Sequence, residues 1–179
     1  NAMVSAFKNG INTAMGFEQA NSTLAAILQT TADKTKNLQM QARELGATTK
    51  YTAADATNLQ IELAKLGFTT QEISNSTKYV LRFAQATGAE LPEAAALTGA
   101  ALRMFNADTK ETERYVSAMA VATAKSALSF SYLATALPIV GPVANSFNFA
   151  IEDTLALVGK LADAGFDAKI ASGGGRMNI

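Results

Sequence analysis

Leu63-Ala64-Lys65-Leu66-Gly67-Phe68 recurs 98 positions later as Leu161-Ala162-Asp163-Ala164-Gly165-Phe166, and each copy closes an apolar stretch opened by an acid, Asp55 or Asp153. Leucines fall on one helical face. A glycine able to take the left-handed conformation follows, and then an apolar residue that can fold back on the last turn. The phrase is a helix ending, so the chain around it reads as helical. Leu59 and Leu157 match in the same register. Glu93 and Leu97 align with Asp55 and Leu59, but Phe105 stands where the glycine would be. Two origins stay open, genuine repetition or shared helix-ending chemistry, and the period is too irregular for a solenoid.

Outward from the phrase, glycines and prolines are sparse stops between apolar periods near 3.6, and no stretch alternates as a strand would. On the N-terminal side, Leu24, Leu28, Thr31, Thr35, Leu38, Ala42 and Leu45 are spaced four and three, the rhythm of a coiled-coil seam weakened by two threonines. This predicts one long helix over 16–45, ended by Gly46. Thr52 with Asp55 and Thr69 with Glu72 read as capping boxes, and Asp108 with Glu111 follows the same logic. Pro92 suits a first helical turn, Gly88 a helix end, and Asn106 a C-terminal stop. A broad apolar surface at Ile151, Leu155, Leu157, Val158, Leu161 and Ala162 predicts a last helix buried on several sides.

The 179 residues are long enough to bury a core. Fifteen charges of each sign cancel, so no global field draws the chain to nucleic acid or anionic lipid. Cysteine and histidine are both absent, which removes disulfides, the usual zinc ligands, thiol nucleophiles and imidazole triads. Asn1-Ala2-Met3 reads as a tag remnant.

Residues 126–151 carry no charge, which raises a membrane span. Pro138 and Pro142, with Ser129, Ser131, Thr135, Asn145, Ser146 and Asn148, argue instead for a buried helix pair with a Pro-Gly-Pro-like corner, with Leu133, Leu137, Ile139 and Val143 turned inward. The glycine-rich run 172–175 lacks the Gly-Lys-Ser/Thr ending of a phosphate loop. Glu152, Asp153 and Asp163 suit helix-dipole and surface roles better than an acid/base pair. Arg43, Lys50, Lys65, Lys78 and Arg82 are interleaved with acids, a mixed surface. Phe105, Tyr115, Phe130, Tyr132, Phe147 and Phe149 read as core aromatics and not as a base-stacking platform.

Gln41-Ala42-Arg43-Glu44-Leu45-Gly46, then Tyr51-Thr52-Ala53-Ala54-Asp55-Ala56, the ending at Leu63 to Gly67 and the box at Thr69 and Glu72 resemble the core region of phage tail tape measure proteins. The resemblance continues through 81–88, Leu102-Arg103-Met104-Phe105, Val140-Gly141-Pro142-Val143-Ala144, 161–166 and Gly175-Arg176, covering roughly 41–179. The glycine run at 172–175 departs from the small-residue run expected there. The resemblance implies an all-α protein that threads the tail tube, sets tail length and takes part in assembly, with genome delivery a further role. It also implies residence in the tube lumen or tip of the virion tail, in the host cytoplasm during assembly, and tube, tip or assembly-chaperone partners.

The expected architecture is an all-α, compact multi-helix bundle preceded by a long helical arm: 1–3 tag remnant, 4–50 arm, 51–179 core, as a piece of a longer chain. The expected role is structural, not enzymatic, with no catalytic, cofactor-binding or metal-ligating residue and no nucleic-acid partner in this segment. Self-association through the N-terminal helix is expected as well. A membrane-perturbing or pore-lining segment at 126–151 and a cytoplasmic helical adaptor are the alternatives.

Overall fold

The computed structural model describes residues 2–171, with side chains described for 13–169. Among them every regular element is helical: α1 (Ala2–Ile27), α2 (Lys36–Thr48), α3 (Ala53–Lys65), α4 (Thr70–Thr87), α5 (Leu91–Met104), α6 (Thr112–Lys125), α7 (Phe130–Ser146), α8 (Ile151–Asp163) and α9 (Ala168–Ala171). Single 3-10 turns at Ala32–Thr35 and Thr109–Glu111 precede α2 and α6. The helices pack as two units, Asn1–Leu81 and Arg82–Ile179. The glycine run at 172–175 and Gly175-Arg176 lie outside the described residues.

The doubled phrase folds as the same object twice. Both α3 and α8 have 13 residues, and their bounds keep the 98-position register. Gly67 and Gly165 take φ of 87° and 81°. The Gly67 N–H donates to the Ala64 carbonyl at 2.9 Å and the Phe68 N–H to that of Leu63 at 3.1 Å, while Gly165 and Phe166 reach Ala162 and Leu161 at the same two distances. This crossed pair of bonds satisfies the carbonyls that a helix end leaves open. No heavy atom would crowd a Cβ at Gly67. Gly67→Val is therefore expected to cost about 1–2 kcal/mol from backbone strain alone, readable as a shift in urea midpoint; an unchanged midpoint would contradict the capping account.

Helix starts follow the sequence closely. Thr52 and Asp55 form a reciprocal capping box, with the Asp55 N–H on Thr52 Oγ1 at 3.1 Å and the Thr52 N–H on Asp55 Oδ2 at 2.9 Å. The Thr69 N–H donates to Glu72 Oε2 at 2.7 Å, and the Tyr132 N–H to Ser129 Oγ at 3.0 Å. Asp108 accepts the Lys110 N–H at 2.8 Å.

In the first unit α3 packs against both α1 and α2. Phe17, Ala42 and Ala56 form a small buried cluster, and Leu24, Leu38, Leu59 and Leu63 are fully buried. Gln60 is buried too: its amide donates to the Leu38 carbonyl at 3.1 Å and to Gln41 Oε1 at 3.3 Å, and Gln41 donates to the Ser74 carbonyl at 2.7 Å. A polar relay thus links α2 to α3 and α4. The single helix expected over 16–45 is not formed. Gln29 takes φ 50°, the Gln29 and Thr30 amides close on Ala26 and Ala25, and Thr31 is extended, so the Leu24 to Leu45 seam is cut at the exposed Thr31. α2 runs through Gly46 to Thr48. The role of Gly46 is close packing, because a Cβ there would lie 2.6 Å from the Ala53 nitrogen.

In the second unit α5 packs on α6 and α7, α8 on α6 and α7, and α9 on α7 and α8. The expected corner in 126–151 is absent: α7 runs unbroken through Pro138 and Pro142. Both prolines are exposed and four residues apart, so their rings share the outer face of the helix. Leu133, Ala136, Leu137, Gly141 and Ala144 hold the other face. Leu133 and Leu137 are buried as expected, whereas Ile139 and Val143 are 44% and 58% exposed. Among the aromatics, Tyr115 is buried and meets Phe105 edge-on at 6.0 Å, and Phe130 lies 5.9 Å from Phe83. Phe147 and Phe149 correct the core reading. They flank Asn148, whose φ of 59° reverses the chain after α7, and Phe147 is 69% exposed. No helix among the described residues is long and apolar enough to cross a membrane.

Candidate functional site

α6 and α8 lie side by side in the same direction, because their starts are joined at one end and their ends at the other. At the start, the Arg114 guanidinium forks onto Glu152, Nε to Oε1 at 2.7 Å and Nη2 to Oε2 at 2.8 Å, and reaches Glu111 through Nη1 at 2.6 Å. At the far end, the Ala127 N–H donates to Asp163 Oδ1 at 2.6 Å. Between these ties Gly159 lets α8 approach Ser126, since a Cβ there would sit 3.1 Å from the serine oxygen.

The space left between the two helices is a groove of about 630 Å³, with Ser117, Ala118, Ala122, Leu155, Ala156 and Gly159 along it. Val121 stands on its wall, 57% exposed. Arg114 and Glu152 mark one end, and Lys125, Lys160 and Asp163 line the other. Small side chains make the groove shallow and apolar, which suits contact with another macromolecule better than enclosure of a reactant.

The ion pair is electrostatically marked but half solvated. Hydrogen bonds from Arg114 hold the Glu152 carboxyl below the ordinary glutamate range, and the same bonds raise the guanidinium. Burial pushes the Tyr115 hydroxyl up. A carboxyl with a folded pKa below its unfolded value contributes stability at neutral pH and loses it as pH falls through the folded value. Glu152→Gln should therefore lower stability at pH 7 by less than about 1 kcal/mol, given the solvent exposure of the pair. It should also flatten the acid-side decline in urea melts; an equally steep decline in wild type and variant would show that the pair does not drive it.

Sequence reasoning gave Glu152 and Asp153 a first-turn role, and both do lie in the first turn of α8. It missed Arg114, whose local pair with Glu111 was readable at a spacing of three but whose partner Glu152 is 38 positions away. Asp153 and Asp163 are ten residues apart along one helix, about 15 Å, so they do not converge as an acid/base pair. Four of the five basic residues have partners within their unit: Arg43 over Phe17, Lys50 over Tyr51, Lys78 over Tyr79, and Lys65 with Glu62 at 2.8 Å. Among the described residues no cluster of acids could hold a metal ion.

Residues 39–175 match the family model of phage-related minor tail proteins. The chain is 31% identical over 149 residues to a tape measure protein of Pneumococcus phage Dp-1, covering 83% of this chain and 13% of that protein. It is 32% identical over 162 residues to a probable tape measure protein of Escherichia phage P2, covering 89% of this chain and 20% of that one. The chain thus spans a fifth or less of the curated relatives it matches. No solved structure matches it. With the family model spanning most of the chain and two tape measure relatives aligned over more than four fifths of it, the chain belongs to the phage-related minor tail protein family, as a region of a tape measure protein and a structural part of the phage tail.

Proposed function

We propose that this segment is a folded docking or initiation element of the tape measure protein, one that engages tail tube, tip or assembly-chaperone proteins while other parts of the parent chain lie along the tube and set its length. The observation that carries this reading is the set of left-handed helix endings at Gln29, Gly67, Gly88, Asn106, Asn148 and Gly165. Each ends a helix inside one of the two units, so neither unit is a single extended helix. A compact unit of about 100 residues has a radius of gyration near 13 Å, whereas the same residues as one helix would extend about 150 Å. A folded unit measures length poorly. The cut at Gln29 also breaks the Leu24 to Leu45 seam, so the part that measures length lies elsewhere in the parent chain.

The role is structural, without a catalytic step, and places the segment in the tube lumen or at the tip after assembly in the host cytoplasm. Self-association through α1 is compatible with it. The test is an early stop codon within the parent gene together with mass spectrometry of purified wild-type tails. The expected result is that these residues are detected in tails and that the mutant makes heads without tails of defined length. Normal tails in the mutant would refute a structural role.

A further inference from the structure

We propose that the groove between α6 and α8 seats an amphipathic α-helix of a partner protein, docked antiparallel to both helices with an acidic N-terminal turn on Lys125 and Lys160. Length, floor and charge each support this. From Arg114 to Lys125 the groove runs about 16 Å, three turns of helix. It is open along that length, with Ser117, Val121 and Lys125 all exposed, and its Ala118, Ala122 and Ala156 lining admits a close backbone approach. A small molecule would find few convergent polar groups there, whereas helix-in-groove recognition needs only an apolar stripe spaced three and four.

The ends of the groove differ in charge. Arg114 is neutralised by Glu111 and Glu152. At the other end Lys125 and Lys160 are exposed and enter none of the ion pairs found among the described residues, and the carboxylate beside them, Asp163, already receives the Ala127 amide. Because α6 and α8 run in the same direction, the negative ends of both helix dipoles meet there as well. An antiparallel helix brings its positive end to that place, and acids in its first turn meet the two lysines. The inference rests on the groove and not on the docking role of the whole segment.

The test places photoreactive benzoylphenylalanine at Val121 of the full-length protein during tail assembly in the parent phage. Glu113, exposed on α6 but outside the groove, is the control position. The expected product is a cross-link to a segment with helical apolar period and an acidic first turn, with yield about tenfold lower in Lys125→Glu/Lys160→Glu. A synthetic peptide of that segment should bind wild type and lose affinity for the double variant, and lysines in place of its acids should restore binding to the variant. Both lysines are exposed, so the variant should stay folded with a thermal midpoint lowered only modestly by the reversed charges at the two helix ends, checked by circular dichroism. Cross-linking at Val121 no stronger than at Glu113, a captured segment without an acidic turn or apolar period, or a yield indifferent to the charge reversal would each overturn the proposal.

Discussion

Leu59→Ala is expected to destabilise its unit by about 3 kcal/mol, and Leu157→Ala, the same position of the doubled phrase, by less than about 0.5 kcal/mol. Leu59 is fully buried in a helix flanked by α1 and α2, so truncation leaves a cavity that its neighbours fill only in part. Leu157 is 53% exposed on α8, and its loss removes little contact. Urea unfolding of both variants checks the pair. Similar costs would mean that the outer face of α8 is covered in solution, and that the two copies are equivalent in packing as well as in backbone.

Gly46→Val is expected to cost about 3 kcal/mol, at the upper end of overpacking effects. Gly46 has ordinary helical backbone inside α2, where alanine would normally gain up to about 1 kcal/mol over glycine. Here the added Cβ would meet the Ala53 nitrogen at 2.6 Å, the Ala53 Cα at 3.0 Å and the Thr52 carbonyl carbon at 3.1 Å. All three are backbone atoms at the start of α3, so nothing can rotate away and α2 must move. Gly46→Ala should already destabilise. Gly16→Ala is the counterpart: it lies in α1 with nothing within 4 Å, and it should stabilise by up to about 1 kcal/mol. Thermal melts of these variants check the contrast; a stabilising Gly46→Ala would contradict the close approach of α2 to α3.

These pairs also show what was legible in the chain. Local chemistry was: the capping residues Thr52, Asp55, Thr69, Glu72 and Asp108 and the left-handed positions Gly67, Asn106 and Gly165 act through bonds to neighbours a few residues away. Tertiary consequences were not. Gly46 looked like a stop because a helix-ending glycine and a close-packing glycine read the same until Ala53 is placed beside it. Pro138 and Pro142 looked like a corner because nothing local says that both share the outer face of one unbroken helix. Leu59 and Leu157 read identically, and only the flanking helices distinguish a core leucine from a surface one. The groove was invisible for the same reason: Arg114 and Glu152 are distant in sequence, and its small lining residues carry no motif.

The most direct test of the account is an in-frame deletion of residues 52–165 from the parent gene, read by electron microscopy of the tails. A folded docking or initiation element predicts absent tails, or tails of unchanged length. Tails shortened by about 1.5 Å for each residue removed would mean that the segment lies extended along the tube, and would contradict it.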